Sequence, residues 1–200
     1  SSHNTSSRAE ATGDPRVPGS QVHSWDRRHT EAIAPNLYLH RTDTSYDWIR
    51  PGHYHSIIAG DGRVHRLHDY DVDLPAHTWA RNSNSVALAC ACMGGMPDPW
   101  TQPPTAAQLT SLCQEAAAIA RRWGWGADQI TIQRVMTHAE AASNLDGRWM
   151  HDNYGPVVWG GSGERWDLLQ LERDGPLDGG EQLRRQIQSV LNGSAEQPAA

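Results

Sequence analysis

The sequence predicts an α/β fold, a single domain whose mixed central β-sheet is flanked by α-helices. Ser85 to Met93 (SVALACACM) is an almost unbroken run of small apolar residues, as expected of a central strand buried on both faces. Thr105 to Trp123 carries apolar residues at helical spacing. Shorter strand-like runs lie on either side of these two segments, and strands mixed with helices in this order give a sheet covered on its faces. The chain of 200 residues is enough for one domain with a sizeable core.

Residues 1–24 are rich in Ser, Pro, Gly and charge without an apolar period, and read as a disordered arm or linker. The domain is expected over residues 25–191, followed by a flexible tail over 192–200. Leu37, Tyr38 and Leu39 form a strand that leads into His40 and a polar stretch. Tyr54 to Ile58 and Arg63 to Leu67 read as a hairpin turning at Gly60-Asp61-Gly62. The Thr105 hydroxyl caps the long helix, Gln108 completes a capping box, and Gly124 stops it. Gln129 to Met136 (QITIQRVM) alternates and predicts a strand delivering Thr137 and His138 at its end. An irregular aromatic segment covers residues 145–163. Arg165 to Leu171 predicts a short helix, and Gly180 to Leu191 a terminal amphipathic one.

Composition excludes several classes. The net charge is −6 and no large basic cluster occurs, which argues against nucleic-acid binding. No run of 18 apolar residues is present, so no membrane-spanning helix is expected, and no secretory leader is visible at the start. All 17 basic residues are Arg, so any cation in a site is a guanidinium. Cys90, Cys92 and Cys113 lack a framework spacing and read as reduced, buried thiols.

Most of the 11 histidines call for no special role. His3, His23 and His29 lie in the polar arm, and His53 and His55 share one strand face, where a His-x-His metal pair is the alternative to plain packing. His40 and His138 differ in directly following a predicted strand and preceding polar loop residues. Either alone is more often structural than a ligand.

A series of short motifs gives them another reading. The chain runs through His40-Arg41-Thr42, then Tyr54-His55 with Ile58 and the Asp61-Gly62 turn. Ala76-His77-Thr78 with Arg81-Asn82 follows, then Ser85-Val86-Ala87-Leu88, then Thr105 with Gln108-Leu109, and last Thr137-His138 with Glu140. In this order the motifs resemble the zinc-dependent N-acetylmuramoyl-L-alanine amidases, a family that includes phage-type endolysins and peptidoglycan-recognition proteins. The resemblance covers about two thirds of the chain.

The resemblance implies a zinc ion held by His40, His138 and a third ligand two residues after a basic one, matched by Asp167 in Arg165-Trp166-Asp167. The loop before it is longer than the family's common one and the frequent Pro-Gly after it is missing, so Asp152 stands as the rival. Three protein ligands with a fourth position open make a hydrolytic zinc site rather than a structural one. Tyr54 and Arg165 take the places of residues that assist the chemistry, and Glu140 is the candidate acceptor that orients His138. His77, Asn82 and Trp79 are the expected substrate-binding residues, with Trp149 and Trp159 offering further stacking surface. The implied activity is cleavage of the amide between N-acetylmuramic acid and L-alanine in peptidoglycan, by a monomer made in the cytoplasm and acting on the cell wall as a lysin, a host hydrolase or an interbacterial effector. A non-catalytic muropeptide-recognition module of the same fold is the alternative.

Overall fold

The computed structural model describes residues 36–193. The expected arm over 1–24, with His3, His23 and His29, and the tail beyond 193 lie outside the described residues.

Among the described residues the strands are β1 (Asn36–Arg41), β2 (Ser56–Ile58), β3 (Val64–Arg66), β4 (Ser85–Cys90) and β5 (Val135–Thr137). The helices are α1 (Ala106–Arg122), α2 (His138–Ala142) and α3 (Gly179–Leu191). The strands form one mixed sheet in the order β3-β2-β4-β1-β5. β1 runs parallel to both β4 and β5, β2 runs parallel to β4, and only β3 is antiparallel, closing the hairpin with β2. The run of small apolar residues is therefore the middle strand, and every residue of β4 is buried. Small side chains suit that position because both faces of the strand are covered.

The pleat sorts β1 into two faces. Leu37 and Leu39 join Val86 and Leu88 in the main core, against Leu112, Ala116 and Ile119 of α1 and Leu183 and Ile187 of α3. Tyr38 points to the other face, where it packs with Met136 and with Ala141 of α2. His40 shares the face of Tyr38. Both long helices thus cover one side of the sheet, and the opposite side is left for the site. Thr105 and Gln108 form the expected capping box on α1. Cys90, Cys92 and Cys113 are free and buried.

Two segments depart from expectation. Only Val135–Thr137 of the predicted strand pairs with the sheet. The residues before it satisfy their amides locally, with Ile130 N bonding to Ala127 O and Arg134 N to Thr131 O. The alternation is nevertheless real, since Ile130 enters the main core and Ile132 packs on the Tyr38 cluster. Residues 165–171 form turns rather than a helix. Leu168 is buried with φ 60°, a left-handed conformation that ends any helix there. That turn carries the Leu168 carbonyl onto the start of α3, where a Cβ on Gly179 would collide with it.

Candidate metal centre

The parallel pairing of β1 with β5 places the site. Leu39 lies opposite Thr137, so His40 and His138 are the next residues at the carboxyl ends of neighbouring strands, where α/β sheets hold their ligands. His138 is also the first residue of α2, which is fixed by a capping box between Thr137 and Glu140. Asp167 arrives from the irregular segment and is tied down at both ends. Its carbonyl accepts from Ala139 N at 3.3 Å, and its Oδ2 accepts from Arg41 N at 3.3 Å.

The three side chains converge. His40 Nδ1 and His138 Nδ1 are 3.1 Å apart, and Asp167 Oδ2 is 3.8 Å from the first and 3.5 Å from the second. All three residues are buried, and they make up the cluster of metal-ligating type found among the described residues. Zinc bound at 2.0–2.1 Å with tetrahedral angles needs donor atoms about 3.3 Å apart. The observed triangle matches one face of such a tetrahedron, with two imidazole nitrogens and a carboxylate oxygen as donors, a set that suits zinc. Asp152 is exposed and lies outside this cluster.

Electrostatics favours ligation. Burial holds His40 down to about 4, so its imidazole is neutral with a lone pair free at pH 7. Burial alone would push Asp167 up, but the two histidine rings and the Arg41 guanidinium beside it hold its carboxyl well below the usual carboxylate range. The outer ring nitrogens have hydroxyl neighbours, Thr78 Oγ1 at 3.3 Å from His40 Nε2 and Tyr154 Oη at 3.5 Å from His138 Nε2.

A cleft of about 470 Å³ opens over the cluster, and Tyr54, His77, Trp79 and Arg165 line it with His138 and Asp167. The Tyr54 ring lies 5.1 Å from that of His40, and its phenol, raised well above the ordinary value by burial, stays protonated. Arg165 is partly exposed and leans on Glu164, its Nη1 donating to the Glu164 carbonyl. Trp79 packs edge-on against His151.

Three expected residues are employed otherwise. Glu140 does not reach His138. Its carboxylate accepts from Thr137 N and takes a bidentate pair from Arg184 of α3 at 2.8 Å on each oxygen, so it joins α2 to α3 instead of orienting a ligand. Asn82 stands behind the cleft wall, where its Oδ1 accepts from the amides of His77 and Thr78. Both ring nitrogens of His77 are taken by hydroxyls of Thr78 and Ser85, which leaves only its ring surface for a ligand. The His53/His55 pair is also separated, since His53 Nδ1 meets Ala76 O while both nitrogens of buried His55 bond to backbone.

Sequence reasoning missed Tyr154, His151 and Arg41 as cleft residues. Arg41 is buried with its guanidinium 3.8 Å over the Trp166 ring, paired with Asp43. Its place beside His40 in the first motif was the available clue. Tyr154 and His151 come from the irregular segment, and no local pattern marks them.

Fold and site together define an α/β domain with a buried His-His-Asp cluster of metal-ligating type at its strand ends. Residues 13–152, well over half of the chain, match the family model for N-acetylmuramoyl-L-alanine amidase, and the chain belongs to that family. The match ends before Asp167, which the fold itself brings to the two histidines. Among solved structures, the Staphylococcus aureus hydrolase AmiA in complex with its ligand is similar at a TM-score of 0.51 and 14% identity, over 85% of this chain and 80% of that one. The E. coli amidase AmiD, in complex with the substrate anhydro-N-acetylmuramic acid-L-Ala-D-gamma-Glu-L-Lys, gives 0.42 and 17% over 64% of this chain and 58% of that one. The Ph2119 endolysin from a Thermus scotoductus bacteriophage gives 0.42 and 16% over 55% and 74%. No curated protein matches the sequence.

Proposed function

We propose that this protein is a zinc-dependent peptidoglycan amidase that hydrolyses the amide between N-acetylmuramic acid and L-alanine, and that it works on the cell wall as a lytic enzyme. The observation that carries the reading is the buried triangle of His40, His138 and Asp167 at the floor of an open cleft, in a chain of the amidase family. These three residues would hold the ion. The chemistry such an ion supplies when bound is Lewis acidity, which makes a water more acidic and polarises a carbonyl.

The chain's own groups do the rest. Tyr54, protonated at neutral pH and beside His40, donates a hydrogen bond to the oxyanion that develops on the scissile carbonyl. Arg165 brings permanent positive charge to the same side of the cleft, and its guanidinium stabilises without transferring a proton. Tyr154, raised to about 12 by burial, also stays protonated and supports His138 through Nε2. Trp79 and the ring of His77 form apolar walls against which a sugar or peptide lies. The catalytic domain is proposed over residues 25–191, flanked by the 1–24 arm and the 192–200 tail.

The test is digestion of purified peptidoglycan by the full chain. Release of new L-alanine amino termini without new reducing sugar ends, stopped by a chelator and restored by zinc, supports the reading. Wall binding at full zinc occupancy without amine release overturns it in favour of a recognition module.

A further inference from the structure

Behind the His40 side of the centre lies a buried line of hydrogen bonds that no catalytic step uses. His40 Nε2 is 3.3 Å from Thr78 Oγ1. Thr78 Oγ1 is 2.8 Å from His77 Nδ1, and His77 Nε2 is 2.9 Å from Ser85 Oγ. Ser85 Oγ is in turn 2.8 Å from the backbone carbonyl of Asn82. All five residues are buried.

Each inner link can point either way, but the last cannot. A carbonyl only accepts, so the Ser85 hydroxyl must give its proton to Asn82 O, because two oxygens 2.8 Å apart with no hydrogen between them repel. Ser85 then has only lone pairs for His77, whose Nε2 must carry the proton. A neutral His77 so arranged has an empty Nδ1, which accepts from the Thr78 hydroxyl. Thr78 in turn accepts from His40, so His40 carries its proton on Nε2 and its lone pair on Nδ1. That is the nitrogen facing His138 and Asp167. At the other end Asp167 Oδ2 is 3.8 Å from His40 Nδ1, too long for a hydrogen bond that would draw the proton there.

We propose that Ser85, His77 and Thr78 form a one-way hydrogen-bond relay, anchored on the Asn82 carbonyl, that holds His40 in the tautomer required of a metal ligand. They are positioning residues. The relay's value to the enzyme rests on the reading of His40 as a zinc ligand, while its direction does not. With the anchor lost, His77 is free to take the other tautomer, Thr78 can donate to His40 Nε2, and His40 then carries a proton on Nδ1 where a metal would have to displace it. Ligand histidines elsewhere are held through their outer nitrogen in one step; here the control extends to Ser85, which touches no ligand.

The test uses the full chain stripped of metal and labelled with nitrogen-15. Long-range proton–nitrogen correlations report the tautomers of His40 and His77, and competition with a chromophoric chelator gives the zinc Kd. The wild type should show Nε2–H for both rings. Ser85→Ala should populate the Nδ1–H form of both and weaken zinc about tenfold, the lower end of the range for outer contacts. Ser85→Thr, which keeps the hydroxyl, should restore both readouts. Should Ser85→Ala fail to fold, Thr78→Val against Thr78→Ser gives the same comparison, with loss in the first and retention in the second. A Nδ1–H His40 in the wild type overturns the relay. So does a folded Ser85→Ala or Thr78→Val protein with unchanged tautomers and zinc affinity. A wild type that binds no zinc yet shows both Nε2–H rings upholds the relay and overturns the metal reading instead.

Discussion

His40 and His138 face each other Nδ1 to Nδ1 at 3.1 Å from adjacent parallel strands. Without an ion one Nδ1 carries a proton and donates to the other; with a cation in the triangle both rings and the carboxylate oxygen could turn lone pairs inward. The arrangement is set by register. β1 and β5 pair so that His40 sits one residue before the end of the first strand and His138 begins the helix after the second.

The first concerns ligation. His138→Ala should remove most of the zinc, because a centre reduced to two ligands loses both affinity and geometry. Asp167→Asn should weaken zinc and abolish amine release, whereas Asp152→Asn, at an exposed position away from the cluster, should do neither. Metal analysis of the purified variants checks this, and zinc loss confined to Asp152→Asn would transfer the role.

A second outcome separates binding from chemistry. Tyr54→Phe should keep zinc and substrate affinity while kcat falls by roughly a hundredfold, the scale for loss of one donor to a developing oxyanion. Steady-state kinetics on a soluble muropeptide decides, and an unchanged kcat would reduce Tyr54 to a packing residue.

The buried Glu140–Arg184 pair gives a stability outcome. Removing one partner, as in Arg184→Met, leaves a carboxylate buried with only Thr137 as donor and should cost about 3 kcal/mol. Urea unfolding measures it. Zinc content and kcat per folded molecule should hold, since the pair joins α2 to α3 and does not touch the cleft; a selective loss of kcat would return Glu140 to the chemistry.

Acid should destabilise the metal-free protein earlier than carboxylate titration alone predicts. Burial holds His40 and His55 at about 4, against 6.5 for an ordinary histidine. Between those values the unfolded chain binds the protons and the folded one does not, so stability falls as pH drops from 6.5 to 4, by up to roughly 3 kcal/mol per histidine. Asp167 works in the same direction at lower pH: its depressed carboxyl stabilises the fold above the ordinary carboxylate value, and that contribution is lost as pH falls below it. Denaturation of the chelated protein at pH 7 and pH 4.5 checks the sign, and equal stability at the two would contradict it.

The sequence made legible what depends on local pattern. The buried run of β4, the capped α1 and the strand end at His40 could all be read from periodicity and end chemistry. Asp167 is expected from the Arg-x-Asp spacing of the resemblance and from the helical pattern after it; the structure brings it to the two histidines, but the left-handed Leu168 replaces that helix with turns. The contributions of irregular backbone stayed hidden. Tyr154 reaches His138 because side chains such as Asn144 and Asn153, bonding to the carbonyls of His151 and Trp159, brace the loop. Such contacts between distant residues leave no period in the sequence. Glu140 was misjudged for a related reason: its partner Arg184 lies on a helix far along the chain, and only the packing of α3 reveals it.

His40, His138 and Asp167 are proposed to hold the zinc that serves hydrolysis. Anomalous scattering at the zinc edge from crystals of the purified protein tests it most directly. One peak per chain is expected, about 2 Å from His40 Nδ1, His138 Nδ1 and an Asp167 carboxylate oxygen. A zinc-replete crystal with no peak among these three atoms, or with its peak on other residues, would contradict it.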